Sequence, residues 1–261
     1  MFNLFEKEKP KSKISEYARI KPSVRSYTTQ AGAEFYTYYK NMFEDGSHIL
    51  IAGTTGSGKS VFINGFIYSV LAIASPVSAK FIFCDPKRVE LVRYKNLPHC
   101  IRYASEQDEI INALEYAISL MENRYKTMQL QGIRQSTEAP VYIVIDELAD
   151  LMTTCKKAVL PLLQRIAQLG RASNIRLLCA TQAPNRKVIP AELTLNFNIR
   201  IALHCFSPIE SRQIINTKGA ELLPRYGNAI VNRPEGLVKI NVPLVSEDKI
   251  LDRIRFWELQ S

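Results

Sequence analysis

Short apolar runs alternate along the chain with longer stretches of helical periodicity. His48–Ala52, Lys80–Cys84, Val141–Ile145, Arg176–Ala180 and Asn198–Leu203 are brief and aliphatic or β-branched, and they predict buried strands. Between them, Lys59–Ala74, Glu106–Gln131 and Lys156–Leu169 predict helices. Strands that alternate with helices imply right-handed crossovers, so the expected fold is α/β, doubly wound, with a mostly parallel central sheet flanked by helices. No internal repeat or low-complexity tract interrupts the pattern. Residues 1–30 do not share it: Lys7, Lys9, Lys11, Lys13, Arg19, Lys21 and Arg25 face only Glu6, Glu8 and Glu16. They predict a basic N-terminal arm or docking segment, or a solvated tail, ahead of a domain over 31–261.

Composition narrows the partners. The chain has 261 residues, 46% hydrophobic and 23% charged, which suits one large globular domain with a sizeable core. Lys and Arg number 34 against 25 Asp and Glu, a formal charge of +9, which favours polyanionic partners such as nucleic acid or an acidic membrane surface. The five cysteines (Cys84, Cys100, Cys155, Cys179, Cys205) are scattered and form no C-x-x-C pair. Reduced thiols in a cytoplasmic protein are expected, not a disulfide framework or zinc ribbon. The longest apolar stretch, Phe62–Ala74, contains Asn64 and ends before Pro76. That is short of the roughly 20 residues of a spanning helix. Glu6, Lys7, Glu8 and Lys9 stand where a signal peptide would be apolar.

The sharpest motif is Gly53-Thr54-Thr55-Gly56-Ser57-Gly58-Lys59-Ser60, an unbroken G-x-x-x-x-G-K-S between a predicted strand and a predicted helix. Its glycines permit a tight loop whose amides converge on phosphate oxygens, and the helix N-terminus adds partial positive charge. Lys59 is expected to reach the β and γ phosphates of ATP, and the Ser60 hydroxyl to ligate Mg²⁺. The strand Val141–Ile145 then delivers Asp146 and Glu147, 87 and 88 residues after the loop lysine. Asp146 suits support of the metal, and Glu147 suits polarising the attacking water; both would also cap the following helix. Thr181-Gln182 closes another strand, where Gln182 can sense the γ-phosphate or cap the strand. Arg171 follows Gly170 beyond a helix; on spacing alone it reads as a solvated helix-end cation, although an exposed arginine there can also serve a neighbouring subunit's site.

Taken together, Gly53–Ser60 with Val61, Asp85-Pro86-Lys87, Met121-Glu122-Asn123-Arg124-Tyr125, Asp146–Met152 and Ala180-Thr181-Gln182 stand in an order that resembles the motor domain of the FtsK/SpoIIIE family. Ser211-Arg212 and Gly219–Leu223 continue it, so the resemblance runs from about Gly46 to Val245. It implies a RecA-like P-loop domain that assembles into a hexameric ring and drives double-stranded DNA through its pore with ATP. It also implies that Arg171 is a trans-acting arginine and that Arg212 serves DNA handling or coupling between subunits. The role of Asp85-Pro86-Lys87 does not follow from its chemistry beyond placing a charge pair at the sheet edge.

Two departures fall where the family is expected to touch DNA. Ala183 replaces the usual arginine after Thr181-Gln182, and Thr194 replaces a lysine. Arg186 and Lys187 lie close by and can restore the charge, since phosphate contacts need charge more than a fixed position. The segment between the Arg124-Tyr125 motif and the Asp146-Glu147 strand is shortened. Against the family's cell-division members, neither N-terminal membrane spans nor a winged-helix module is expected, so recruitment would rest on a loader, a relaxase or a membrane-channel protein. The expected function is an ATP-dependent DNA pump serving a mobile element, DNA transfer or segregation. The alternatives are a conjugation or packaging coupling ATPase and a nucleotide-gated DNA-binding adaptor. His48, His99 and His204 lack metal-ligand spacing and are expected to be structural. Tyr36, Tyr38 and Tyr39 are expected to pack the flank of the domain, and Glu122 to pair with Lys126 across one helical turn.

Overall fold

A computed structural model describes Tyr39 and residues 47–260. The predicted arm over 1–30, with Tyr36 and Tyr38, lies outside the described residues. In chain order the strands are β1 (Ile49–Ala52), β2 (Lys80–Cys84), β3 (Cys100–Ala104), β4 (Val141–Ile145), β5 (Ile175–Thr181), β6 (Ile199–Leu203), β7 (Asn228–Arg233) and β8 (Gly236–Asn241). The helices are α1 (Lys59–Ile73), α2 (Gln107–Gln131), α3 (Leu148–Thr154), α4 (Lys156–Leu169), α5 (Ala191–Thr194), α6 (Pro208–Ile215) and α7 (Glu247–Glu258). One sheet takes the order β3-β2-β4-β5-β1-β6-β7-β8. Its first six members are parallel, and β7 and β8 close it as an antiparallel hairpin.

Because side chains alternate across a strand, each central strand feeds two cores, which is why β1, β4 and β5 are apolar almost without a break. Ile49, Ile51, Phe81 and Phe83 join α1 and α7 on one face. Leu50, Ile82, Ile143 and Ile145 join α2, α3 and α4 on the other. Aromatic rings dominate the first core: Phe81 stacks on Phe83 at 5.1 Å, and Tyr142 meets Phe66 edge-on at 5.1 Å. Tyr39 is buried there against Phe62, as expected of the flank. The Trp257 indole donates to the Leu71 carbonyl at 2.8 Å and fastens α7 to α1.

α2 starts where a capping box forms: Glu109 reaches back to the Glu106 amide at 3.2 Å. It ends at Gly132 in the left-handed conformation, φ 65°. One expectation is corrected here: Glu122 pairs with Arg165 on α4 at 2.9 Å, because α2 and α4 pack side by side and bring the guanidinium within reach. The three histidines do act structurally: His48 Nδ1 accepts from the Leu177 amide, and His99 and His204 bond the carbonyls of Ala74 and Leu223. All five cysteines are free.

Candidate nucleotide site

The Gly53–Ser60 loop leaves the C-terminal end of β1 and turns into α1 between two neighbouring strand ends. The Gly53 amide donates to Thr181 of β5 at 3.3 Å, and the Thr54 amide donates to His204 beyond β6 at 2.9 Å. The Gly227 amide closes the loop from above on the Ser57 carbonyl at 2.9 Å. Gly58 turns the chain at φ 114°, and a Cβ there would come within 2.9 Å of the Gly227 nitrogen, so a side chain is excluded twice over. Lys59 folds over the loop and donates to the carbonyls of Gly53 at 2.5 Å and Thr54 at 2.9 Å. Burial lowers its ammonium pKa to about 8, against the opposing pull of Glu147. A cation held by two carbonyls is poised to take an anionic ligand.

Opposite stands β4. Asp146 and Glu147 are both buried. Burial, helped by the neighbouring Asp85 carboxylate, raises Asp146 to about 8. Its Oδ1 is buried without a hydrogen-bond partner. Glu147 caps α3 through the Ala149 amide at 3.3 Å, so the capping role and the placement at the site coexist. Its Oε1 also accepts from Thr181 Oγ1 at 2.9 Å and from the Gln182 amide at 3.0 Å. Gln182 Oε1 accepts from Thr55 of the loop at 2.9 Å, which joins the end of β5 to the phosphate loop.

A third wall comes from the turn after β2. Asp85 builds it by accepting from the Leu91 amide at 3.0 Å and the Val89 amide at 3.3 Å. The turn then delivers Lys87 to Glu147 Oε2 at 3.1 Å, and Glu90 accepts from the Ser60 hydroxyl at 2.7 Å. Burial works against the Lys87 charge, but the hydrogen bond and charge of Glu147 outweigh it and raise its pKa. The position of these residues was open to a sequence argument, since open α/β sheets place their ligands beyond the carboxyl ends of the strands. Their partners were not.

Arg171 sits elsewhere. It is exposed on the turn that enters β5, while Gln182 leaves the far end of that strand. Seven residues of strand span about 20 Å. Arg171 is therefore placed away from the nucleotide loop of its own chain. Arg186 and Arg212 do come together, in an open groove of about 820 Å³ with Arg200, Arg233 and Thr194, and among the described residues no carboxylate lines it. Lys187 does not line the groove. The Nε atoms of Arg200 and Arg233 are buried without partners, and sequence reasoning had singled out neither residue.

The FtsK/SpoIIIE family model matches residues 5–140. The chain belongs to the FtsK/SpoIIIE family. It is 35% identical to the DNA translocase FtsK of Pseudomonas putida over 251 residues of alignment, which cover 82% of this chain and 30% of that protein. Helicobacter pylori FtsK is 36% identical over 230 residues, with 82% and 27% covered. The chain thus spans less than a third of these relatives' length. Among solved structures, the pCW3 conjugation coupling protein TcpA with ATPγS superposes with a TM-score of 0.74 at 24% identity, over 84% of this chain and 66% of that one. The cytoplasmic domain of the Thermomonospora curvata type VII secretion ATPase EccC gives 0.68 at 23%, over 80% and 28%. These two share the fold of this FtsK/SpoIIIE domain, a RecA-like P-loop nucleotide-binding unit.

Proposed function

We propose that this domain is the ATP-hydrolysing motor of a double-stranded DNA translocase that works as a homo-oligomeric, hexameric ring. The observation that carries the reading is the division of the site. The phosphate loop, Glu147 and Gln182 meet at the carboxyl ends of the central strands, whereas Arg171 stands exposed at the opposite end of β5, where a neighbouring copy can receive it. In hydrolysis, a water oxygen attacks the γ-phosphorus and the bond to the β–γ bridging oxygen breaks. The electron pair leaves on ADP, and the water proton passes to Glu147. The loop amides of Gly53–Ser60, with Val61 at the start of α1, cradle the phosphates, and Lys59 binds the β and γ oxygens. Gln182 senses the γ-phosphate, and Arg171 of the next copy stabilises charge in the transition state.

The residues fit Mg²⁺. Asp146 offers a buried oxygen without a partner, and Ser60 donates its proton to Glu90, which leaves its lone pairs free. Bound there, the cation would neutralise charge developing on the phosphates. The arginine-lined groove with Arg186 and Arg212, flanked by Lys187, supports contact with a phosphate backbone, as does the formal charge of +9. Among the described residues no helix is long and apolar enough to cross a membrane.

The test is steady-state ATP turnover with and without linear duplex DNA at two salt concentrations, beside Glu147→Gln. Stimulation by duplex that weakens with salt and disappears in the variant supports the motor. A rate indifferent to DNA with ATP still bound favours the nucleotide-gated adaptor, the reading that Ala183 and Thr194 keep in play.

A further inference from the structure

The Asp85-Pro86-Lys87 motif opens a turn that runs on to Glu90. It makes separate contacts with three elements of the nucleotide site: Asp85 lies against Asp146, Lys87 binds Glu147, and Glu90 binds Ser60. Asp85 is itself fixed by two backbone amides of the turn and by Tyr103 at 3.4 Å. Lys87 and Glu90 are therefore presented from a rigid base.

The two oxygens of Glu147 are not equivalent. Oε1 is occupied by donors from Ala149 in the helix it caps and from Thr181 and Gln182 at the end of β5. These hold the carboxylate in place whatever Lys87 does. Oε2 has a long second bond from the Gln182 amide at 3.3 Å and the Lys87 ammonium at 3.1 Å. An attacking water must reach the carboxylate at Oε2, where the ammonium already sits. The Lys87 side chain is 36% exposed on a flexible stem, whereas that of Glu147 is 3% exposed, so Lys87 is the partner free to leave.

From this geometry we propose that Lys87 is a positioning residue that keeps water off Glu147 Oε2, so that hydrolysis requires Lys87 to withdraw. The proposal rests on the hydrolytic reading of the site. Glu90 ties the same short turn to Ser60, so that occupation of the phosphate loop and release of Glu147 act on one piece of backbone.

The experiment compares DNA-free ATP turnover of the full chain, Lys87→Met, Lys87→Arg and the double variant with Glu147→Gln. Lys87→Met should raise DNA-free kcat about fivefold, the scale of losing one partly exposed ion pair, with KM for ATP unchanged. Lys87→Arg, which keeps a cation at Oε2, should restore the low rate, and the double variant should be inactive. A purely structural role would raise KM or lower kcat instead. A Lys87→Met rate at or below that of the natural chain overturns the proposal, as does a Lys87→Arg rate as high as that of Lys87→Met. None of these readouts uses DNA, so failure of duplex to stimulate the natural chain would count against the translocase alone.

Discussion

Arg124 offers a sharp test of how the fold places Arg171. It lies on α2, 4% exposed, and its guanidinium donates to Ser173 O at 2.7 Å, Asn174 O at 3.2 Å and Ala139 O at 2.7 Å. The Glu138 carboxylate stands 3.3 Å from Nε. One side chain thus ties the segment entering β4 to the turn entering β5, which carries Arg171, and Tyr125 adds a bond to Leu169 O at 2.8 Å. Arg124→Met keeps the apolar stem and removes the fork. Each bond from a charged donor contributes about 1.5–3 kcal/mol net. Against that sum, the turn carbonyls regain some water and the cost of burying the guanidinium disappears, leaving a loss of about 4 kcal/mol. At about 3 °C per kcal/mol for a domain of this size, Tm should fall by about 12 °C. A lysine in its place would supply one point donor where a planar fork serves three carbonyls, so Arg124→Lys should recover less than half. Urea and thermal unfolding followed by circular dichroism measure both variants. A loss under about 1 kcal/mol, or full rescue by lysine, would refute the clamp.

His48 makes stability depend on pH. Burial, with the charges of Arg176 and Arg171 assisting against the Ala167 carbonyl, lowers its pKa from 6.5 to about 4. The folded chain therefore binds fewer protons, so the contribution is full above 6.5 and is lost as pH falls toward about 4. It is worth about 3 kcal/mol, and His48→Gln should flatten that part of the unfolding profile; an unchanged slope would count against it. At Gly170 a Cβ would lie 2.5 Å from the Ile175 carbonyl and 3.1 Å from the His48 ring, so Gly170→Ala should cost about 3 kcal/mol in the same assay. Arg171→Ala and Glu147→Gln should each abolish ATP turnover, yet a mixture should recover about one working site in four, because a heterologous ring interface joins unlike copies. No recovery on mixing would place Arg171 outside the neighbour's site.

Which parts of this molecule the sequence announces follows from where the information resides. β1, β2, β4, β5 and β6 are buried on both faces and read as apolar runs, so their limits agree with expectation to within a residue. β3 was missed because it is an edge strand, with Arg102 facing solvent in the middle of Cys100–Ala104. β8 was missed because Lys239 and Asn241 interrupt it and much of its surface is open. The phosphate loop is local in sequence, and so is Asp146-Glu147. Lys87 meets Glu147 across 60 positions and Glu90 meets Ser60 across 30, and neither pair exists until the sheet is assembled. The groove joining Arg186 to Arg212, Arg200 and Arg233 arises in the same way, from a loop, a helix and a hairpin brought together over β6.

The most direct test of the motor is movement itself. A short third strand bound to a linear duplex is displaced only if a protein travels along the duplex to reach it. With ATP, the natural chain should displace that strand at a rate that falls as salt rises, and Glu147→Gln should bind the duplex without displacing it. ATP hydrolysis stimulated by duplex, with the third strand left in place, would contradict translocation.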